Sequence, residues 1–194
     1  MDHDDPNWTV HFALVPHPDF PPPPGVSFTA AAGREGGALH LHFSQCGDEN
    51  DKLILLQPPY ETWRQDGLWK HTCFEAFVRT ADELSYVELN FTNWGEFAAY
   101  SFEDRRSGKR NIGTDDERVG WLQYKGDGGD GVYHRSYATL PIFKPSKVWH
   151  VGLSAVIEAK DGTRSYWALA HAPGPPDFHN PACFVATLPA PDAA

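Results

Sequence analysis

Residues 66–100 read DGLWKHTCFEAFVRTADELSYVELNFTNWGEFAAY, and this stretch divides into three strands. Cys73–Arg79 is the first, Leu84–Phe91 the second and Glu96–Phe102 the third, with polar turns at Ala81–Glu83 and Thr92–Gly95. In the middle strand Tyr86, Glu88 and Asn90 alternate with Val87, Leu89 and Phe91. Successive strand residues point to opposite faces, so one set meets the core and the other a wetter surface. Glu75 stands among Phe74, Ala76, Phe77 and Val78. A carboxylate there is costly to bury unless it is paired or hydrogen-bonded. The meander is therefore the expected core sheet, and its polar face the expected place for a site.

Outward from this centre the same short-strand pattern repeats. Trp8–Val15, Val26–Ala32, Ala38–Ser44, Lys52–Leu56 and Val119–Tyr124 are strand candidates on either side of it. Val132–Ile142, Trp149–Ala159, Arg164–Ala170 and Cys183–Leu188 follow, with Asp161-Gly162 giving a hairpin signal between two of them. No convincing long helix is present. The expectation is an all-β fold: a β-sandwich, immunoglobulin-like or jelly-roll-like, of about a dozen short antiparallel strands. At 194 residues the chain suits one domain with its core over about 8–188, flanked by a proline-rich segment at 16–24 and a tail at 189–194.

Composition narrows the function. The formal net charge is −10. An acidic chain without a basic cluster is a poor partner for nucleic acid or an anionic membrane. The N-terminus has neither a basic nor an apolar signal region and no apolar run reaches membrane-span length, so a cytoplasmic location is expected. The three cysteines, Cys46, Cys73 and Cys183, form no CxxC pair and read as buried thiols. The polar stretch Glu103–Arg118 balances Arg105, Arg106, Lys109 and Arg110 against Asp115–Glu117 and reads as a long mobile loop. Gly126–Gly131 lacks the ordered acidic positions of a calcium loop and reads as a solvated turn. His40 and His42 share one strand face at a spacing that chelates metals, but no carboxylate or thiol follows at ligand spacing, so they read as solvated imidazoles.

Leu68–Phe77 (LWKHTCFEAF) resembles the core signature of bacterial DOMON-like proteins, relatives of the family 9 carbohydrate-binding modules. Tyr86–Phe91, Gly95 and Ala98–Phe102 continue the match, as do Tyr166–His171, Pro176–His179 and Phe184 near the end. The likeness spans about Trp8 to Leu188. One departure stands out: the family has a Ser-Pro turn after its Glu-x-Asn strand and a Trp two positions after the Gly. Here the turn is Thr92-Asn93-Trp94-Gly95, and Phe97 holds the Trp position. The resemblance implies a sandwich with a ligand site on one sheet face or its rim, and relatives of this kind bind sugars or haem.

Three functions compete. A saccharide site wants flat aromatic platforms for sugar C–H faces and carboxylate or amide groups for hydroxyls. Trp63, Trp69, Trp94, Tyr86 and Trp167 are candidate platforms; Glu75, Glu88 and Asn90 are candidate polar partners, with His171 beside them. The alternative for each Trp is core packing, and for Glu75 a buried hydrogen-bond network. Haem held by Met and His needs an internal methionine, and the sole one is Met1. A histidine pair drawn from His71, His171 and His179 remains, against the alternative of hydrogen-bonded loop histidines. A metal- or carboxylate-dependent hydrolase built from His71, Glu75, His171, Asp177 and His179 is the third, though no GxSxG, HExxH or P-loop motif supports it. The expectation is a non-catalytic binder of a saccharide or polyol, with no resident metal.

Overall fold

The computed structural model describes residues 9–35, 37–46, 53, 63–92, 95–112, 131–139 and 146–190. The strand expected at 119–124, the turn at 126–130, Trp94 and most of the strand expected at 52–56 lie outside them. In chain order the strands are β1 (Thr9–Ala13), β2 (Val15–Pro16), β3 (Ser27–Glu35), β4 (Ala38–Cys46), β5 (Trp63–Arg64), β6 (Cys73–Thr80) and β7 (Tyr86–Phe91). They continue with β8 (Glu96–Phe102), β9 (Arg110–Asn111), β10 (Gly131–Thr139), β11 (Trp149–Glu158), β12 (Arg164–Ala168) and β13 (Ala186–Leu188). One sheet has the order β1-β3-β4-β10; the other runs β2-β12-β11-β6-β7-β8-β5, with β13 on β11 and β9 on β8. Together they form a β-sandwich.

Strand alternation builds the interior. Phe28 from β3 and Phe43 from β4 meet Phe74 from β6, with ring centroids 6.3 and 5.1 Å apart. Ala76 and Val78 of β6, Val87 and Leu89 of β7, and Val151 and Leu153 of β11 complete the larger sheet's inner face. The opposite parity of the same strands, Cys73, Glu75, Phe77, Tyr86 and Glu88, then has to face outward. That face is not bare. A second apolar cluster covers it, in which Phe178, Cys183 and Phe184 of the C-terminal loop lie over Phe77, Tyr86 and Phe102. Gly152 on β11 permits the close approach: a Cβ there would come within 2.9 Å of the Phe184 ring and 3.1 Å of the Cys183 carbonyl.

Four expectations are corrected. The first strand breaks at buried Leu14, whose N–H donates to Phe28 O at 2.9 Å; β1 stays in the smaller sheet while β2 crosses to β12. The last strand starts later than Cys183, because Asn180 Oδ1 accepts from Ala182 N at 3.0 Å and caps a 3-10 turn, Pro181–Cys183. The sheets are not wholly antiparallel: β5 runs parallel to β8, held by Trp63 N–H to Gly95 O and Gln65 N–H to Phe97 O. Residues 103–112, expected in a mobile loop, fold back on the larger sheet, with β9 paired to β8; 113–118 lie outside the described residues. Among the described residues, no helix is long and apolar enough to cross a membrane.

Candidate functional site

Between the outer face of β6–β8 and the C-terminal loop lies a pocket of about 450 Å³. Small-molecule sites span roughly 300–1,000 Å³. Glu75 and Glu88 reach it from the floor, Trp69 and Lys109 from one side, and Phe178 and His179 from the loop above. The sheet register explains the floor. Glu75 pairs in register with Asn90, and Glu88 with Phe77, so the two glutamates sit diagonally on adjacent strands with the same parity.

Both carboxyls are buried. Burial, then the neighbouring Glu88, pushes the Glu75 carboxyl up to about 8, against the opposing pull of a Ser154 hydroxyl that donates to Oε2 at 3.1 Å. Glu75 is therefore mainly protonated at neutral pH and can donate as well as accept. Burial also raises Glu88, opposed by Asn90, whose Nδ2 donates to Oε1 at 2.6 Å, and by the charges of Lys109 and Arg106.

The loop histidine is fixed by a directed chain. Arg106 N–H donates to the Tyr86 oxygen at 3.1 Å, and the Tyr86 hydroxyl lies 2.7 Å from His179 Nδ1. With its oxygen accepting from Arg106, Tyr86 donates its own proton to Nδ1. The His179 proton then sits on Nε2, which faces Glu88 Oε2 at 3.7 Å. Burial, then Arg106, holds the imidazole down to about 4. This is a neutral contact and not an ion pair.

Trp69 is presented by a 3-10 turn, Leu68–Lys70, that opens at Gly67 with φ 81°, a conformation suited to glycine. The Tyr100 hydroxyl donates to Asp66 Oδ1 at 2.7 Å and braces that turn. Lys109 Nζ lies 3.6 Å from the Tyr100 ring centroid and 4.9 Å from that of Trp69, a cation–π bridge between the two rings. Trp69 is 40% exposed and offers a ring to a ligand.

The structure thus brings together Trp69, Glu75, Glu88 and His179. Other expected site residues fall elsewhere. Trp167 is a core residue: β12 turns it inward onto Phe28, 5.1 Å between centroids, with Nε1 donating to Ser165 Oγ. Asn90 is fully buried and acts through Glu88, its Oδ1 accepting from Cys73 Sγ. Tyr86 is buried and supports His179. His171 does not line the pocket; its Nε2 donates to Val15 O at 2.8 Å and its ring packs edge-on against His17. Trp63 lies on the edge strand β5, 38% exposed and away from the pocket lining.

The histidines considered for haem or metal are dispersed among different partners. His71 Nδ1 meets Glu158 at 3.0 Å near the surface, while His171 and His179 are engaged as above. Asp177 is taken by Arg105 and by Arg106 at 2.9 Å. No group of three or more metal-ligating side chains occurs among the described residues. On the smaller sheet, His40 and His42 are half-buried on the outer face of β4 between β3 and β10, with His40 Nε2 3.8 Å from Glu35.

The residues missed in the sequence are the basic ones. Arg106 and Lys109 line the pocket with Lys70 and Arg164. Arg106 takes a positive φ of 56° and Gly108 one of 65°, which folds the segment tightly. The signal was there as a local basic run in an acidic chain.

No protein-family model matches the chain, and no curated protein matches it in sequence. Among solved structures, the fold is similar to that of a candidate carbohydrate-binding protein from Bacteroides uniformis ATCC 8492. The TM-score is 0.63 at 14% identity, over 92% of this chain and 85% of that one. A likeness at that identity speaks for the fold.

Proposed function

We propose that this protein binds a saccharide in the outer-face pocket, as a DOMON-like sandwich related to the family 9 carbohydrate-binding modules. The observation that carries the reading is the combination of an exposed indole, Trp69, with two buried glutamates, Glu75 and Glu88, in one pocket of about 450 Å³. The indole face suits sugar C–H groups. A protonated Glu75 and a Glu88 already held by Asn90 offer a donor and acceptors for hydroxyls. Phe178 and Tyr166 supply further apolar lining opposite. The similarity to a candidate carbohydrate-binding protein agrees with it.

The test is isothermal titration against a panel of mono- and disaccharides. Saturable binding that weakens in Trp69→Ala and Glu88→Ala is expected. Absence of binding to any saccharide, or affinity indifferent to both substitutions, would remove the reading.

A further inference from the structure

The pocket carries more positive charge than a neutral sugar needs. Lys70, Arg106, Lys109 and Arg164 all line it, in a chain with 16 basic and 26 acidic residues. Their carboxylate partners are too few. Asp177 serves both Arg105 and Arg106. Glu158 is divided between Arg164 at 3.5 Å and His71 at 3.0 Å. Lys109 has aromatic faces for neighbours, and neither it nor Lys70 makes an ion pair with a described carboxylate. The rim therefore sets five cationic side chains, Arg105 included, against two carboxylates.

The two carboxyls of the floor do not cancel this excess in full. Burial shifts both toward their neutral form, Glu75 up to about 8, while the charges of Lys109 and Arg106 pull Glu88 the other way. The charges are also not spread evenly: Lys109 Nζ lies 4.9 Å from the centroid of the Trp69 ring, on which a sugar would lie, and Lys70, the next residue after Trp69, lines the same pocket, so an anionic substituent on a stacked sugar would have two ammonium groups within the pocket. All four lining cations belong to exposed residues; Arg106 and Arg164 are held by Asp177 and Glu158, which leaves Lys70 and Lys109 to meet a ligand. A rim built only to brace the protein would pair its cations with carboxylates, as Arg106 and Asp177 do.

We propose that the preferred ligand of this pocket is an anionic sugar, one bearing a carboxylate or phosphate group that Lys70 and Lys109 receive while Trp69 takes the sugar face. The inference rests on the saccharide reading and adds the charge of the ligand to it.

The test is isothermal titration of the full chain at pH 7 and low ionic strength. The probes are D-glucuronate, D-galacturonate and glucose 6-phosphate, with D-glucose and D-galactose as neutral counterparts and succinate as an anion without a sugar. At least one anionic sugar is expected to bind about tenfold or more tighter than its neutral counterpart, a ratio that falls as salt is raised. A uronate preference identifies the group as a carboxylate, and a glucose 6-phosphate preference as a phosphate. In Lys70→Gln/Lys109→Gln, both surface positions, the preference should collapse toward parity while the melting temperature holds. Neutral sugars binding as tightly as the anionic ones would overturn this inference and leave the saccharide reading standing. Succinate binding as tightly as the anionic sugars, or no binding by any sugar, would overturn both.

Discussion

The Tyr86 hydroxyl lies 2.7 Å from His179 Nδ1 and accepts from Arg106 N–H, so one phenol on the middle strand ties together the two segments that roof the pocket. Tyr86→Phe removes that knot without changing ring packing on Phe102, 4.8 Å away and nearly parallel. A part-buried donor and acceptor lose their partner, which costs up to about 1–3 kcal/mol, the range for fully buried groups. Urea denaturation should show a loss in that range, and saccharide affinity should fall with it.

Glu75 gives the fold a pH signature. Its folded carboxyl titrates near 8 against an ordinary 4.5, so the folded state holds a proton that the unfolded chain releases. That contribution is fully present below about pH 4.5 and is lost as pH rises through 8. His179 acts with the opposite sign. Its folded value of about 4 lies below an ordinary 6.5, so its contribution is present above 6.5 and lost as pH falls through 4. His40 and His171, also lowered by burial, act with His179. Between pH 4.5 and 6.5 the opposing slopes offset; between 6.5 and 8 the Glu75 slope, which the raised Glu88 shares in sign, is free of the histidines' opposition, about 1.4 kcal/mol per pH unit per group at most. Denaturation midpoints should fall across that upper window, and Glu75→Gln should flatten it. An unchanged slope in the variant would assign the fall to another group.

Two tryptophans should part company. Trp69→Ala removes an exposed platform, so it should weaken saccharide binding by about 1 kcal/mol, on the scale of one aromatic contact, with little change in melting temperature. Trp167→Ala empties a buried site beside Phe28. It should cost about 3–5 kcal/mol of stability and, in the fraction that folds, leave saccharide affinity near that of the parent.

Gly152→Ala tests whether the C-terminal loop must lie close on β11. The added methyl would meet the Phe184 ring and the Cys183 carbonyl. Overpacking of that kind costs about 1–3 kcal/mol, and proteolysis within 172–184 should become faster. A variant as stable and as resistant as the parent would place the loop farther from the sheet.

Strand alternation in the meander carried a good part of this structure. Glu96–Phe102 was legible to the residue, and the shared parity of Tyr86, Glu88 and Asn90 correctly placed them on one face. What parity cannot supply is which face a mixed strand turns inward. On β12, Ser165 and Trp167 alternate with Arg164, Tyr166 and Ala168, and neither set is plainly apolar; the core claimed the Trp. Nor can local sequence show a loop's destination. Arg105 and Arg106 read as part of a long mobile loop because the partner that holds them, Asp177, lies 72 and 71 residues away. His171 was read beside the ligand, but its proton goes to Val15 O on the crossing strand β2.

The central claim is that a saccharide enters the pocket between β6–β8 and the C-terminal loop, and amide chemical-shift mapping tests it most directly. Titration of the labelled protein with the tightest-binding sugar of the panel should move the amides of Trp69, Glu75, Glu88, Lys109 and His179 together along one saturable curve. Shifts concentrated instead on β1, β3 and β4, or no saturable shift with any sugar, would contradict the account.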